Sequence, residues 1–99
     1  PGAPISGMGQ TVREQAAANG LELLGGRIGH GMGLDYSEQP VPLNDTNETT
    51  LQAGTTAVIH SVFGLPGGKM FVPLGDLCHV TADGPELLMD FQRTPFVAG

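Results

Sequence analysis

Positive charge is scarce in this chain. Four lysines and arginines stand against ten aspartates and glutamates, for a net charge of −6. The four bases (Arg13, Arg27, Lys69 and Arg93) are scattered. A nucleic-acid or anionic-membrane surface needs clustered cations, so neither partner is expected. Cysteine occurs once, as Cys78, which excludes an internal disulfide and points to a cytoplasmic setting. No run of about 18 apolar residues is present to span a bilayer. No signal peptide is recognisable, and the first residue is Pro1, which raises the expectation of a piece of a longer protein. The glycines of 29–33 are not followed by a Lys-Ser/Thr pair and lack the dinucleotide spacing, so no phosphate loop is built. Ser37 has no G-x-S-x-G elbow around it.

Glycine and proline are plentiful instead: 16 and 8 of 99 residues. That is below the range of disordered low-complexity sequence and predicts short strands joined by many turns. The length allows one domain at most.

Residues 6–19 read as a helix, with Met8, Val12 and Ala16 recurring every four residues along one face. Thr11 and Glu14 fit a capping box, and Ser6 offers a cap one turn earlier. Asn19-Gly20 is a C-terminal stop. Residues 21–36 read as two short extended pieces, and residues 40–50 as a polar loop because of their prolines and Asn/Thr cluster. Residues 55–64 are rich in β-branched and aromatic side chains and predict a strand. Alternation puts Ala57, Ile59, Ser61 and Phe63 on one face and Val58, His60 and Val62 on the other. Residues 69–74 and 76–81 predict two more strands, and 85–91 a last short one. A helix followed by hairpin-connected strands is an α+β pattern.

The chemistry centres on histidine. His30 lies in "GGRIGHGMGLDYSEQP", residues 25–40, where glycines clear space around it. His60 lies mid-strand between valines, where a polar group needs a partner; the ordinary partner is a backbone carbonyl. His79 reads as structural or exposed. The carboxylates do not pair: Asp35 and Glu38 flank Tyr36-Ser37, Asp76 opens a strand, and Asp83 and Glu86 are solvated turn residues. Cys78 has no charge beside it to lower its pKa and reads as inert packing.

At "GHGMGLDYSEQP" the chain resembles the pita-bread family of aminopeptidase P, prolidase, methionine aminopeptidase and creatinase, which carries G-H-G-x-G-L-x-x-H-E-x-P. "LQAGTTAVIHSVFG" is similar to the family's L-x-P-G-M-x-x-x-x-E-P-G strand, and "LGDLCHVTADGPELL" to its I-E-D-x-x-x-V-T-x-D-G-x-E-x-L ending. The match runs over roughly residues 4–90.

The resemblance implies half of a pita-bread domain, residues 1–99 being its C-terminal half: one helix, then a curved, mostly antiparallel sheet. It also implies a site. Active members bind two divalent metals, about 3.5–4 Å apart, through two aspartates, one histidine and two glutamates. The aspartates belong to the first half of the fold. The histidine ligand falls on His30, the first glutamate on His60 and the second on Gly75, with Asp76 retained beside it. The family's second histidine falls on Ser37, while Glu38 matches. Two lost carboxylates imply that the usual dimetal centre does not form here. No cofactor is expected in this chain, and manganese, cobalt or zinc only in a full-length parent.

Two functions follow from the resemblance. One is a fragment of an Xaa-Pro peptidase or creatinase-like C–N hydrolase, inactive alone, with His30, His60 and Glu38 as catalytic candidates and His30 as metal ligand. The other is a non-catalytic relative that binds a small peptide, an amino-acid-like ligand or a protein. Half a sheet exposes edges and apolar flanks, so self-association as a dimer, or pairing with the other half, is expected. An unrelated module sharing these turns would not place 27–34, 56–63 and 69–81 in one sheet.

Overall fold

Met8, Val12 and Ala16 share the inward face of helix α1 (Ile5–Ala18), as their spacing requires. The structure, a computed structural model, describes residues 1–68, 70–90, 94, 97 and 98. The helix ends at Asn19, and Gly20 takes the left-handed turn there (φ 70°).

Its start differs from both expected caps. Pro4 is the N-cap and supplies no side-chain acceptor, Ser6 is buried inside the first turn, and the Thr11 hydroxyl donates to the Gly7 carbonyl at 2.9 Å. A distant loop caps the helix instead. Ile5 N–H donates to the Thr49 carbonyl (3.0 Å) and Ser6 N–H to the Asn47 carbonyl (2.8 Å). First-turn N–H groups need acceptors but do not dictate their source.

Six strands form one antiparallel sheet: β1 (Glu22–Leu24), β2 (Arg27–Gly31), β3 (Glu38–Asn44), β4 (Thr56–Gly64), β5 (Phe71–Thr81) and β6 (Gly84–Leu87). The order is β3-β2-β4-β5-β6, with β1 pairing to the far end of β4. The segments 27–34, 56–63 and 69–81 thus all contribute to one sheet, through β2, β4 and β5.

Two strand expectations need correction. Residues 40–44, expected in a loop, belong to β3. Pro40 and Pro42 are tolerated because β3 is an edge strand, where outward N–H groups have no ladder to serve. Leu43, with no exposed surface, anchors it to the core. Residues 69–74 and 76–81 are not separate strands. Gly75 interrupts the apolar pattern but not the backbone, because β4 pairs with β5 continuously from Gly64↔Phe71 to Thr56↔His79. Asp76 therefore lies mid-strand and does not open one. The last strand stops at Leu87. Lys69, Phe91 and Arg93 lie outside the described residues.

The core sits between α1 and one sheet face. Ile5, Leu23, Ile28, Leu43 and Ala57 are its buried members, with Met8, Val12, Leu51, Ile59 and Phe63 packed against them. Ala57, Ile59 and Phe63 thus occupy the helix side, as alternation requires. Each fully buried aliphatic side chain contributes about 1.5–3 kcal/mol. No helix among the described residues is long and apolar enough to cross a membrane.

Candidate functional site

The sheet face opposite α1 carries the imidazoles. On β4, His60 follows Val58 on that face by the two-residue period. On β2, His30 pairs directly with Val58, which sets the two histidines diagonally across adjacent strands. Their ring centroids are 5.2 Å apart with planes at 69°. The structure therefore joins two residues that lie thirty positions apart in sequence.

The glycines around His30 are there for backbone contact. A Cβ on Gly29 would collide with the Val58 carbonyl, one on Gly31 with the Gln39 carbonyl, and one on Gly33 with the Glu38 carboxylate. Three strands close tightly around His30, which is 1% exposed. Its Nδ1 lies 2.8 Å from the Gly31 carbonyl oxygen. A carbonyl only accepts, so Nδ1 carries the proton and Nε2 is left with a bare lone pair. That Nε2 is buried without a hydrogen-bond partner, and so is Nε2 of His60. The ordinary backbone partner thus serves one nitrogen of His30 and leaves both Nε2 atoms unanswered. Buried unpaired nitrogens are uncommon, and here the two belong to rings whose centroids are 5.2 Å apart.

Two neighbours were not legible as site residues. Tyr36 lies with its ring centroid 5.0 Å from that of His30, although its own side chain is largely exposed. Its position in the loop returning from β2 was the available signal. Arg27 acts electrostatically on His60. Strict alternation would put Ile28 and His30 on one face. The β2–β3 register shifts on both sides of Gly29 let Ile28 join the core while His30 pairs with Val58 on the histidine face. Burial, first, and then the charges of His30 and Arg27 hold the His60 pKa below its ordinary value.

Glu38 is placed differently. Its Oε1 accepts the Asp35 N–H at 2.8 Å, and its carboxylate lies where a Gly33 side chain would be. Its hydrogen-bond partner is the loop, not an imidazole. Ser37 is exposed in the same loop. His79 is on β5, where its Nδ1 lies 3.3 Å from Glu86 Oε2, at the far side of the sheet order from β2. Glu86 is thus paired across strands rather than simply solvated at a turn. Cys78 is half-buried, and burial, with Asp76 beside it, pushes its thiol pKa up, in keeping with inert packing.

Directly opposite His60 stands Gly75. A Cβ there would touch His60 Cβ at 3.4 Å. Positions 60 and 75 are therefore cross-strand neighbours on the histidine face. Among the described residues, no group of three or more His, Cys, Asp or Glu is placed to hold a metal ion.

Residues 1–82 match the family model described as metallopeptidase family M24. The chain belongs to metallopeptidase family M24. Solved M24-like structures agree in fold. A dipeptidase from Pyrococcus horikoshii OT3 is 26% identical with a TM-score of 0.79, covering 93% of this chain and 26% of its own. The prolidase from the same organism is 25% identical with a TM-score of 0.77, covering 94% of this chain and 26% of its own. An X-Pro aminopeptidase from Thermotoga maritima MSB8, at 22% identity, shares the fold with a TM-score of 0.82, covering 98% of this chain and 27% of its own. None of the curated proteins matches. The M24 chain thus spans about a quarter of the length of the structures it resembles. One helix on an open antiparallel sheet is a fragment of the pita-bread fold.

Proposed function

We propose that residues 1–99 are the C-terminal half of an M24 catalytic domain whose dimetal centre has lost its carboxylates, and that the parent is an Xaa-Pro peptidase or creatinase-like C–N hydrolase. The observation that carries this reading is the His60–Gly75 pair. The family resemblance puts glutamates at both positions, and the sheet makes them direct neighbours. In their place stand an imidazole and a bare backbone. Two carboxylates are what balance the charge of two adjacent dications, and neutral imidazole does not replace them. The donors present do not fit the bridged pair of ions.

His30 and His60 remain as proton carriers. His30, held by Gly31 with Nε2 bare, accepts a proton at that atom. His60, kept neutral by its surroundings, supplies the second basic nitrogen. Glu38 holds the loop that carries Tyr36, which makes it a positioning residue in this reading. The chain by itself is inactive, because half the cup is elsewhere. The prolidase and dipeptidase likenesses support small peptides as the ligand class.

The partner is the other half of the fold or a second copy. Phe71, Val72, Leu74, Leu87 and Leu88 are exposed. The radius of gyration is 14.2 Å, against about 13 Å for a compact domain of this size. The lone free thiol fits a reducing, cytoplasmic compartment.

The parent is assayed with Xaa-Pro dipeptides and with creatine, with and without added manganese, cobalt or zinc. Hydrolysis lost in His30→Gln and His60→Gln supports the enzyme. No turnover on any of these sets the hydrolase reading aside for the second one, a non-catalytic relative that binds small ligands or a protein.

A further inference from the structure

We propose that the apolar groove between α1 and the outer half of the sheet is the seat of a second helix, supplied by the rest of the parent and carrying lysine or arginine on both flanks of its apolar stripe. The proposal rests on the reading of residues 1–99 as half of a domain and names the element through which the other half holds on. It starts from two hollows. One, of about 520 Å³, lies beside the first half of α1, with Met8 and Thr11 on its helix wall and Ile59, Cys78 and Val80 on its sheet wall. The other, of about 420 Å³, lies beside the second half, between Val12 and Gln15 on one side and Phe63 and Leu74 on the other. Thr11 borders both, so they form one groove along the helix. The 14 residues of α1 make that groove about 21 Å long.

The width is that of a helix. α1 packs on β1, β2 and β3, and β5 stands two strands beyond β2 in the sheet order. Two strand spacings are about 9.6 Å, and packed helices lie about 8–10 Å apart. A helix over β5 and β6 therefore lies beside α1 at the ordinary distance. The sheet there is apolar and uncovered on its core side. Val72 pairs with Phe63, Leu74 with Ser61 and Leu87 with Cys78, and the three are 48%, 60% and 51% exposed. Polar groups on the helix wall are already engaged: the Thr11 hydroxyl donates to the Gly7 carbonyl and the Asn19 amide to the Gln15 carbonyl. A polar small molecule finds little there to orient it, whereas a row of apolar side chains at helical spacing fits.

Charge selects the occupant. Asp76 pairs with Ile59, which puts it on the groove side of β5 between Leu74 and Cys78, where the two hollows join. Asp83 precedes Gly84, which borders the first hollow. Glu14 falls one turn after Thr11 and is exposed at the outer rim. Among the described residues no lysine or arginine borders the groove, and Arg13 bonds Asp45 on the β3 side of the helix. Carboxylates around an apolar floor are matched by cations beside the apolar stripe of the incoming helix. A second copy does not supply them, because its α1 presents Gln10, Glu14 and Ala17 outward, without an apolar stripe. This chain spans about a quarter of the solved structures it resembles, so a parent of their length has the chain to supply such a helix.

The test labels the intact parent. In a Cys78→Ser background, Leu74→Cys carries a benzophenone on the groove side, and Leu77→Cys carries one on the histidine face, since Leu77 pairs with Val58. Mass spectrometry reads the cross-linked residues. The Leu74 label is expected on one helix outside residues 1–99, with lysine or arginine on both flanks of its apolar stripe. The charge is tested on the 99-residue chain with two synthetic amphipathic helices as long as α1, alike except for lysine or glutamate flanks. The lysine peptide is expected to bind at least tenfold tighter in calorimetry. It shifts the methyl resonances of Val12, Leu74 and Val80 and leaves those of Val58 and Val62 in place. Asp76→Asn and Glu14→Gln each narrow the difference at least twofold; if Asp76→Asn fails to fold, Glu14→Gln and the unaltered chain carry the test. A Leu74 label that reaches a second copy, a strand or an acid-flanked helix overturns the proposal, as does equal binding of the two peptides. When only the Leu77 label leaves residues 1–99, the seat falls and the half-domain reading stands; when neither leaves, both fall.

Discussion

His60 and Gly75 face each other across β4 and β5, and a Cβ built on Gly75 would meet that of His60 at 3.4 Å. Whatever stands at 75 therefore sets the environment of the imidazole at 60. In this chain nothing stands there, and the charges that act on His60 are His30 and Arg27, both of which disfavour its protonation.

Gly75→Glu reverses that balance. The new carboxylate lies on the histidine face beside His60, where an opposite charge within about 4–6 Å favours the protonated form. The His60 pKa is expected to rise relative to the unaltered chain, as read by NMR titration of its ring protons. An unchanged or lower pKa would show that the two positions do not share a face.

Stability depends on pH through the same residue. The folded-state pKa of His60 is lowered, so the unfolded chain binds the extra proton first. The contribution is fully present above about pH 6.5, the ordinary histidine value. It is lost as pH falls through that value toward the lowered folded pKa. Urea midpoints compared at pH 7.5 and pH 5.5 are expected to drop, and to drop less in His60→Gln.

Gly29→Ala is expected to destabilise by about 3 kcal/mol, because its methyl group would be driven into the Val58 carbonyl, a backbone atom that cannot swing aside. Gly67→Ala is the contrasting control: its Cβ meets nothing, and only its positive φ (90°) resists the change. Denaturant unfolding separates them, with Gly29→Ala the larger loss.

Leu43→Ala removes a side chain with no exposed surface from the strand that the prolines hold at the sheet edge. A loss of about 2–5 kcal/mol is expected. Hydrogen exchange should show β3 amides exchanging faster in the variant than in the unaltered chain, since among the described residues β3 has a partner strand only in β2.

Cys78 is expected to react slowly with iodoacetamide at pH 7.5 in the folded chain and faster in urea. Burial, and secondarily Asp76, raise its pKa and keep the thiolate scarce. Equal rates in both states would contradict that.

Some of this molecule was written in local sequence. The four-residue recurrence of Met8, Val12 and Ala16, the Asn19-Gly20 stop, and the division of β4 into a core face and a histidine face all follow from helical and strand periods, which need no partner to operate. The resemblance to the family motifs marked His30 and set His60 and Gly75 at positions where the family pattern has glutamate.

Other features exist only because distant segments meet. The α1 cap comes from carbonyls at Asn47 and Thr49, so no nearby side chain encodes it. Pro40 and Pro42 read as loop residues until β2 supplies an edge for them to join. Gly75 reads as a break until the unbroken β4 holds it in register. Ile28 and His30 fall on opposite faces only through the irregular pairing around Gly29. A hydrogen bond or an electrostatic contact depends on distance in space, and local sequence sets distance only within a turn or two of the chain. The alternating faces of β4 were determined by sequence; the meeting of the His30 and His60 rings was decided by the register of β2 against β4.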